Sequence, residues 1–156
     1  MAERFSTALR NEVLKASGSS YADALADGII YLYTGTQPAT ADATEGTATN
    51  LVKITLASGA FTSGVSTNGI NLAVALSGVL SKAVAETWSG TNLADGVIGW
   101  GRFYANTVVQ GVVTTTGVRM DFAVSQSGAE LDAGNTTVVT GGTTTISTFT
   151  ITLPAG

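Results

Sequence analysis

The stretch GVIGWGRFYAN, residues 96–106, decides how the rest of the chain is read. It places Trp100, Phe103 and Tyr104 within five residues, the densest aromatic run in the sequence. Ile98, Trp100, Arg102 and Tyr104 alternate with Gly99, Gly101, Phe103 and Ala105, a period of two that belongs to a strand. One face is bulky and the other small, and glycine on the small face lets a ring or a second backbone come close. The pattern predicts a central strand with Trp100 and Phe103 in the core on opposite faces.

The segments on either side read the same way. GIIYLYTG (28–35) sets Ile29, Tyr31 and Tyr33 on one face and Ile30 and Leu32 on the other, so both faces are buried. LVKITLA (51–57) and residues 69–74 read as strands, and LSGVLSKAVAET (76–87) reads as a strand pair turning at Ser77-Gly78. In GVRMDFAV (117–124), Val118, Met120, Phe122 and Val124 alternate with Arg119, Asp121 and Ala123, the pattern of a half-buried strand. Ser125 to Asn135 reads as a polar connection and Thr136 to Thr140 as a short strand. In the last strand, from Thr143, residues Phe149, Ile151 and Leu153 point in, Thr148, Thr150 and Thr152 point out, and Pro154 ends it.

Before residue 28 the period is helical. Phe5, Leu9 and Val13 fall at steps of four, predicting a helix over 3–16 that Gly18 ends. Ser19-Ser20 caps a second turn from Tyr21 to Ala26. So short a helix is marginal alone and must dock on its own sheet or on a neighbour. The expected organisation is a helical segment, 1–27, and a β domain, 28–156, in one compact unit. Short strands with regular turns predict a β-sandwich of jelly-roll type, with a closed barrel as the alternative.

Composition narrows function by exclusion. Charged residues are 12% of the 156, against the roughly 25% of an ordinary chain, and the net charge is −4. Basic clusters for nucleic acid or anionic membrane are lacking. No apolar run reaches the roughly 18 residues that cross a bilayer, and the charged N-terminus lacks the apolar core of a signal peptide, which implies synthesis in the cytosol without export. The chain has neither cysteine nor histidine. Thiolate zinc sites, disulfides and the commonest general base are therefore ruled out. Asp23 and Asp27, with Glu12 near in sequence, lack the motif of a calcium loop and read as solvated carboxylates. Ser81-Lys82 has no nucleophile–base spacing, the glycines form no phosphate cradle, and the aromatics read as core rather than as a sugar platform. The expectation is no enzyme, no cofactor, no metal and no small-molecule substrate.

Five segments in order, FSTALRNEVLKA, GIIYLYTGTQPATADAT, LVKITL, GWGRFYAN and GGTTTISTFTITLP, resemble a family of small structural proteins of tailed bacteriophages. The matching elements are Leu9-Arg10-Asn11, Tyr33 to Pro38, Gly96 to Phe103 and the Thr-rich strand Thr143 to Thr152. The resemblance implies a virion structural protein. Some small β-sandwich phage proteins of this size act as capsid cement, or decoration proteins, on the outer surface of the head. A tail or neck component and a carbohydrate-binding module of a tail fibre are the alternatives. The partners expected are the major capsid protein and copies of the chain itself, as a dimer or trimer. Candidate contact residues are Phe5, Leu9 and Arg10 on the helix, and Pro38, Thr40, Asp42 and Glu45 in the unpatterned polar loop 36–50, which reads as a segment that orders on a partner. Arg119 and Asp121, two apart on one strand face, complete the set. They could pair with each other or with Arg102 across the sheet, but their simpler reading is a solvated face.

Overall fold

The computed structural model describes residues 3–153. In chain order the elements are β1 (Arg4–Phe5), α1 (Thr7–Leu14), α2 (Tyr21–Ala24), β2 (Ile29–Tyr33), β3 (Asn50–Leu56), β4 (Val79–Ser81), β5 (Trp88–Thr91), β6 (Gly96–Val97), β7 (Trp100–Tyr104), β8 (Arg119–Ser125), β9 (Leu131–Ala133), β10 (Thr137–Val138) and β11 (Thr143–Thr152). The chain is mainly β, as its alternations predict.

Strands β8, β7, β2, β3, β5 and β11 lie side by side in that order, each pair antiparallel. β9 then pairs antiparallel with β11 and parallel with β8, joining the two ends. Seven strands thus close into a barrel. β1 extends the wall beside β8, β4 extends it beside β11, and β6 with β10 forms a separate ribbon. The strands therefore do not stack as the two sheets of a jelly roll. The strand responsible is three residues long and lies inside the stretch that reads as a polar connection. Only Leu131 and Ala133 of β9 turn inward, too short an alternation to register as a strand.

The barrel interior is filled by Ile30 and Leu32 from β2, Phe103 from β7, Met120 and Phe122 from β8, Trp88 from β5 and Phe149 from β11. Phe149 meets the rings of Phe122, Trp88 and Phe103 at centroid distances of 5.0, 5.8 and 5.8 Å. Gly101 stands opposite Phe122 in the β7–β8 register, and a Cβ there would lie 2.4 Å from the ring. The small face of the central strand makes room for a neighbouring aromatic. Along β11 a bulge between Ile146 and Thr148 shifts the inward parity, so Ile146 and then Phe149 and Ile151 point in. Leu153 lies beyond the strand and is exposed, contrary to the simple alternation, and Pro154 lies outside the described residues.

The predicted helix over 3–16 is divided. Arg4 and Phe5 pair with Asp121 and Met120 of β8 as a strand. Ser6 then caps α1: its Oγ accepts from Leu9 N, and also from Arg119 N, at 3.1 Å each. The helix docks on its own barrel. Ser20 and Asp23 make a reciprocal capping box on α2, so Asp23 serves as a helix cap. Ser77 (φ 51°) and Gly78 (φ 77°) form the turn between Leu76 and Val79, as the strand-pair reading predicts. Residues 69–74 make only single bridges, Gly28 with Ile70 and Leu72 with Lys82, in place of a strand.

Because Phe149 contacts three other rings in the closed interior, Phe149→Ala is expected to cost about 3–5 kcal/mol. Urea unfolding followed by tryptophan fluorescence measures it. A loss under about 1 kcal/mol would mean that the barrel interior is not packed around this ring.

Candidate functional site

The outward faces of β2, β7 and β8 carry Tyr31 and Tyr33, then Trp100, Arg102 and Tyr104, then Arg119 and Asp121. On an open barrel wall these would meet water. Here all seven are buried. Two loops, 34–49 and 105–118, cover them, and the polar side chains are what hold the loops down.

Arg102 and Asp121 face each other in the β7–β8 register. The guanidinium donates to both carboxylate oxygens, Nε to Oδ1 at 2.5 Å and Nη2 to Oδ2 at 2.8 Å. Its third nitrogen, Nη1, donates to the Ala43 carbonyl at 2.9 Å and to Glu45 Oε1 at 3.0 Å. Arg119 spends its donors on five loop carbonyls: Ala41, Asp42 and Ala43 of one loop, and Val109 and Val112 of the other. Glu45 links the same two loops and the wall. It accepts from Tyr104 Oη and from the Gly111 amide, the latter at 2.9 Å. Tyr33 and Tyr104 share a hydroxyl–hydroxyl hydrogen bond of 3.0 Å, and the Tyr33 ring stacks on Trp100 at 4.7 Å. Asp42 accepts from Thr7 N and Thr7 Oγ1 at 2.8 and 2.6 Å, tying loop 34–49 to the start of α1.

Burial raises the hydroxyl pKa of both Tyr33 and Tyr104, so they act as neutral donors and acceptors. Burial works against the charge on Arg102, but Asp121 overrides it and the guanidinium pKa is raised. Burial also pushes the Asp121 carboxyl up while Arg102 pulls it back. Glu45 feels burial first, yet the hydrogen bonds from Tyr104 and Gly111 and the charge of Arg102 bring its carboxyl below the ordinary value.

This arrangement is a clamp. Its carboxylates accept from arginine, tyrosine, threonine and backbone donors. Among the described residues no group of three metal-ligating side chains comes together, and no helix is long and apolar enough to cross a membrane.

The candidate contact residues divide accordingly. Asp42, Glu45, Arg119 and Asp121 are brought together here. The solvated-face reading of Arg119 and Asp121 is overturned, because the loops exclude water from them. Loop 36–50 is tied to its own chain through Thr7, Arg102 and Arg119. Leu9 is enclosed beneath α1 and offers no contact surface. Phe5 is half-buried, its ring 5.2 Å from Tyr21. Arg10 and Thr40 are exposed and Pro38 is half-buried. Arg102, the hub, is absent from that set. The signal for it was a lone cation inside the apolar run WGRFY, in phase with Asp121 on the other strand.

A second feature lies at the barrel end near β4. A groove of about 500 Å³ is lined by Tyr21, Ala22, Leu72, Leu80, Ile151 and Leu153, with Asp23 its one charged lining residue. Val74 and Leu76 beside it are 93% and 78% exposed. Sequence reading passed over these residues, although Ile54 to Ser81 carries no charge at all.

No protein-family model, curated protein or solved structure matches the chain.

Two outcomes test the clamp. Arg102→Met leaves Asp121 buried without its cation and is expected to cost about 3–5 kcal/mol in a urea titration. Glu45 binds a proton less readily folded than unfolded, so its stabilisation is complete above the unfolded carboxyl pKa of about 4.3 and fades as pH falls below it. Glu45→Gln should flatten the acid limb of the stability–pH curve. An acid limb as steep as that of the native chain would remove Glu45 from the clamp.

Proposed function

We propose that the protein is a structural virion component of a tailed bacteriophage, a decoration protein that binds the outer surface of the head, contacts the major capsid protein and copies of itself, and stabilises the shell. The observation that carries this reading is the division of the molecule. Its buried charges are committed to locking its own loops, while aliphatic side chains such as Leu14, Val74, Leu76, Val84, Val113 and Val139 stand exposed over the described surface. A protein that works by assembly needs a stiff body and a surface that gains by being covered. Low surface charge lowers the cost of that covering. The ordered sequence resemblance supplies the phage context.

A sugar-binding role on a tail fibre is disfavoured by the placement of the rings. All 11 aromatic residues (2 Trp, 4 Tyr, 5 Phe) are buried or half-buried. None of the rings is fully exposed for stacking a sugar.

A protein that binds the assembled shell and not its free subunits raises the temperature at which the shell opens. Particles prepared with and without this chain are heated while DNA release is followed, and labelled chain is located by electron microscopy. The expected result is earlier release without the protein, and label distributed over the head. Equal release temperatures with label confined to the tail would replace the decoration role with that of a tail or neck component.

A further inference from the structure

We propose that Trp100, Tyr33, Tyr104 and Glu45 form a relay that carries an oxidising equivalent off a buried indole and onto tyrosine, with the released proton passing to Glu45. This activity goes beyond the assembly reading and does not depend on it. The Tyr33 ring stacks on Trp100 with centroids 4.7 Å apart and planes inclined by 20°, a contact across which an electron moves directly. The hydrogen bonds fix the proton path. A phenol has one proton to give. Tyr104 Oη spends its own on Glu45 Oε1, so in the 3.0 Å bond between the two hydroxyls Tyr33 is the donor. The path therefore runs from Tyr33 to Tyr104 to Glu45. Burial keeps both phenols neutral, so each holds the proton that the path needs.

When Trp100 loses an electron to light or to a one-electron oxidant, its ring becomes a radical cation. One electron then passes from Tyr33 to Trp100 and restores the indole. The Tyr33 O–H bond breaks, its proton forms a new O–H bond on Tyr104, and the proton that Tyr104 held passes to Glu45. What remains is a neutral phenoxyl at Tyr33, an intact Tyr104 and a protonated Glu45. A phenol that has lost an electron is a strong acid, so a carboxylate is base enough to take its proton.

The surroundings push the charge in this direction. The Arg102 guanidinium carbon lies 5.3 Å from the centre of the Trp100 ring, and like charges repel more strongly where water is excluded. A radical cation on Trp100 is therefore disfavoured, whereas the phenoxyl carries no charge. Trp100 Nε1 donates to the Thr34 carbonyl at 3.2 Å, and a carbonyl is too weak a base to take that proton, so the oxidised indole stays charged. Arg102 keeps its bidentate pair with Asp121 when Glu45 becomes neutral. Trp88, the other tryptophan, has Phe103 and Phe149 as its ring neighbours, and neither has a phenol proton to give.

Flash photolysis of the whole chain, with light that excites indole and not phenol, tests this. Part of the indolyl radical absorption should decay as tyrosyl radical absorption grows, and the part from Trp88 should persist. The conversion should be slower in heavy water, because a proton moves with the electron. Tyr33→Phe keeps a ring on Trp100 but removes the first proton, and it should abolish the tyrosyl growth. Glu45→Gln should slow that growth ~100-fold, as loss of a positioned proton acceptor does. Tyr21→Phe, on α2 against Phe5, should change nothing. A native chain whose indolyl signal decays without tyrosyl growth, growth at the same rate in heavy water, or growth that survives Tyr33→Phe overturns the proposal.

Discussion

Arg102 and Asp121 form an ion pair with no solvent exposure on what would otherwise be the wet side of a barrel wall. Removing two charges from water is costly, and their attraction repays it only if the remaining donors and acceptors are also satisfied. The loops satisfy them. Ala43 and Glu45 take the rest of Arg102, and five carbonyls take Arg119. The loops in turn stay because these donors are there. Each part satisfies the other's buried polar groups, so hydrogen bonding couples the wall, both loops and, through Asp42 and Thr7, the start of α1.

The barrel interior follows a different logic. It is nearly all aromatic and aliphatic and needs no specific partner beyond shape. Closure depends on β9, whose parallel contact with β8 spans only two residue pairs, Val124 with Leu131 and Ser125 with Asp132. So brief a seam holds because Leu131 is buried among core side chains. Hydrophobic filling closes the barrel, and hydrogen bonding records where it closes.

Few charges serve many purposes in this chain. Of 18 charged residues, Arg102, Arg119 and Asp121 are spent inside, and Asp23, Asp42 and Glu45 fasten helix starts or loops. What is left for solvation is sparse and unevenly spread, and the β4 end receives almost none.

Local physics made much of this legible from the residues. A period of two in GWGRFYAN and GIIYLYTG is a statement about alternating faces, and both strands are buried on both sides. Ser20 marks a helix start because its side-chain oxygen satisfies a free amide, whereas Asp23, which reads as a solvated carboxylate, is seen to complete the capping box only in the structure. Tertiary structure alone decided the rest. Whether the sheet stacks or closes turned on three residues of β9 that carry no signal until β8 and β11 flank them. Arg119 and Asp121 read as a solvated face because alternation reports which side a residue points to, and not what lies over that side. Two loops distant in sequence covered them. The apolar groove likewise exists only where residues 79–81 and 150–152 pair, since a surface is made by neighbours in space and no window of sequence contains both.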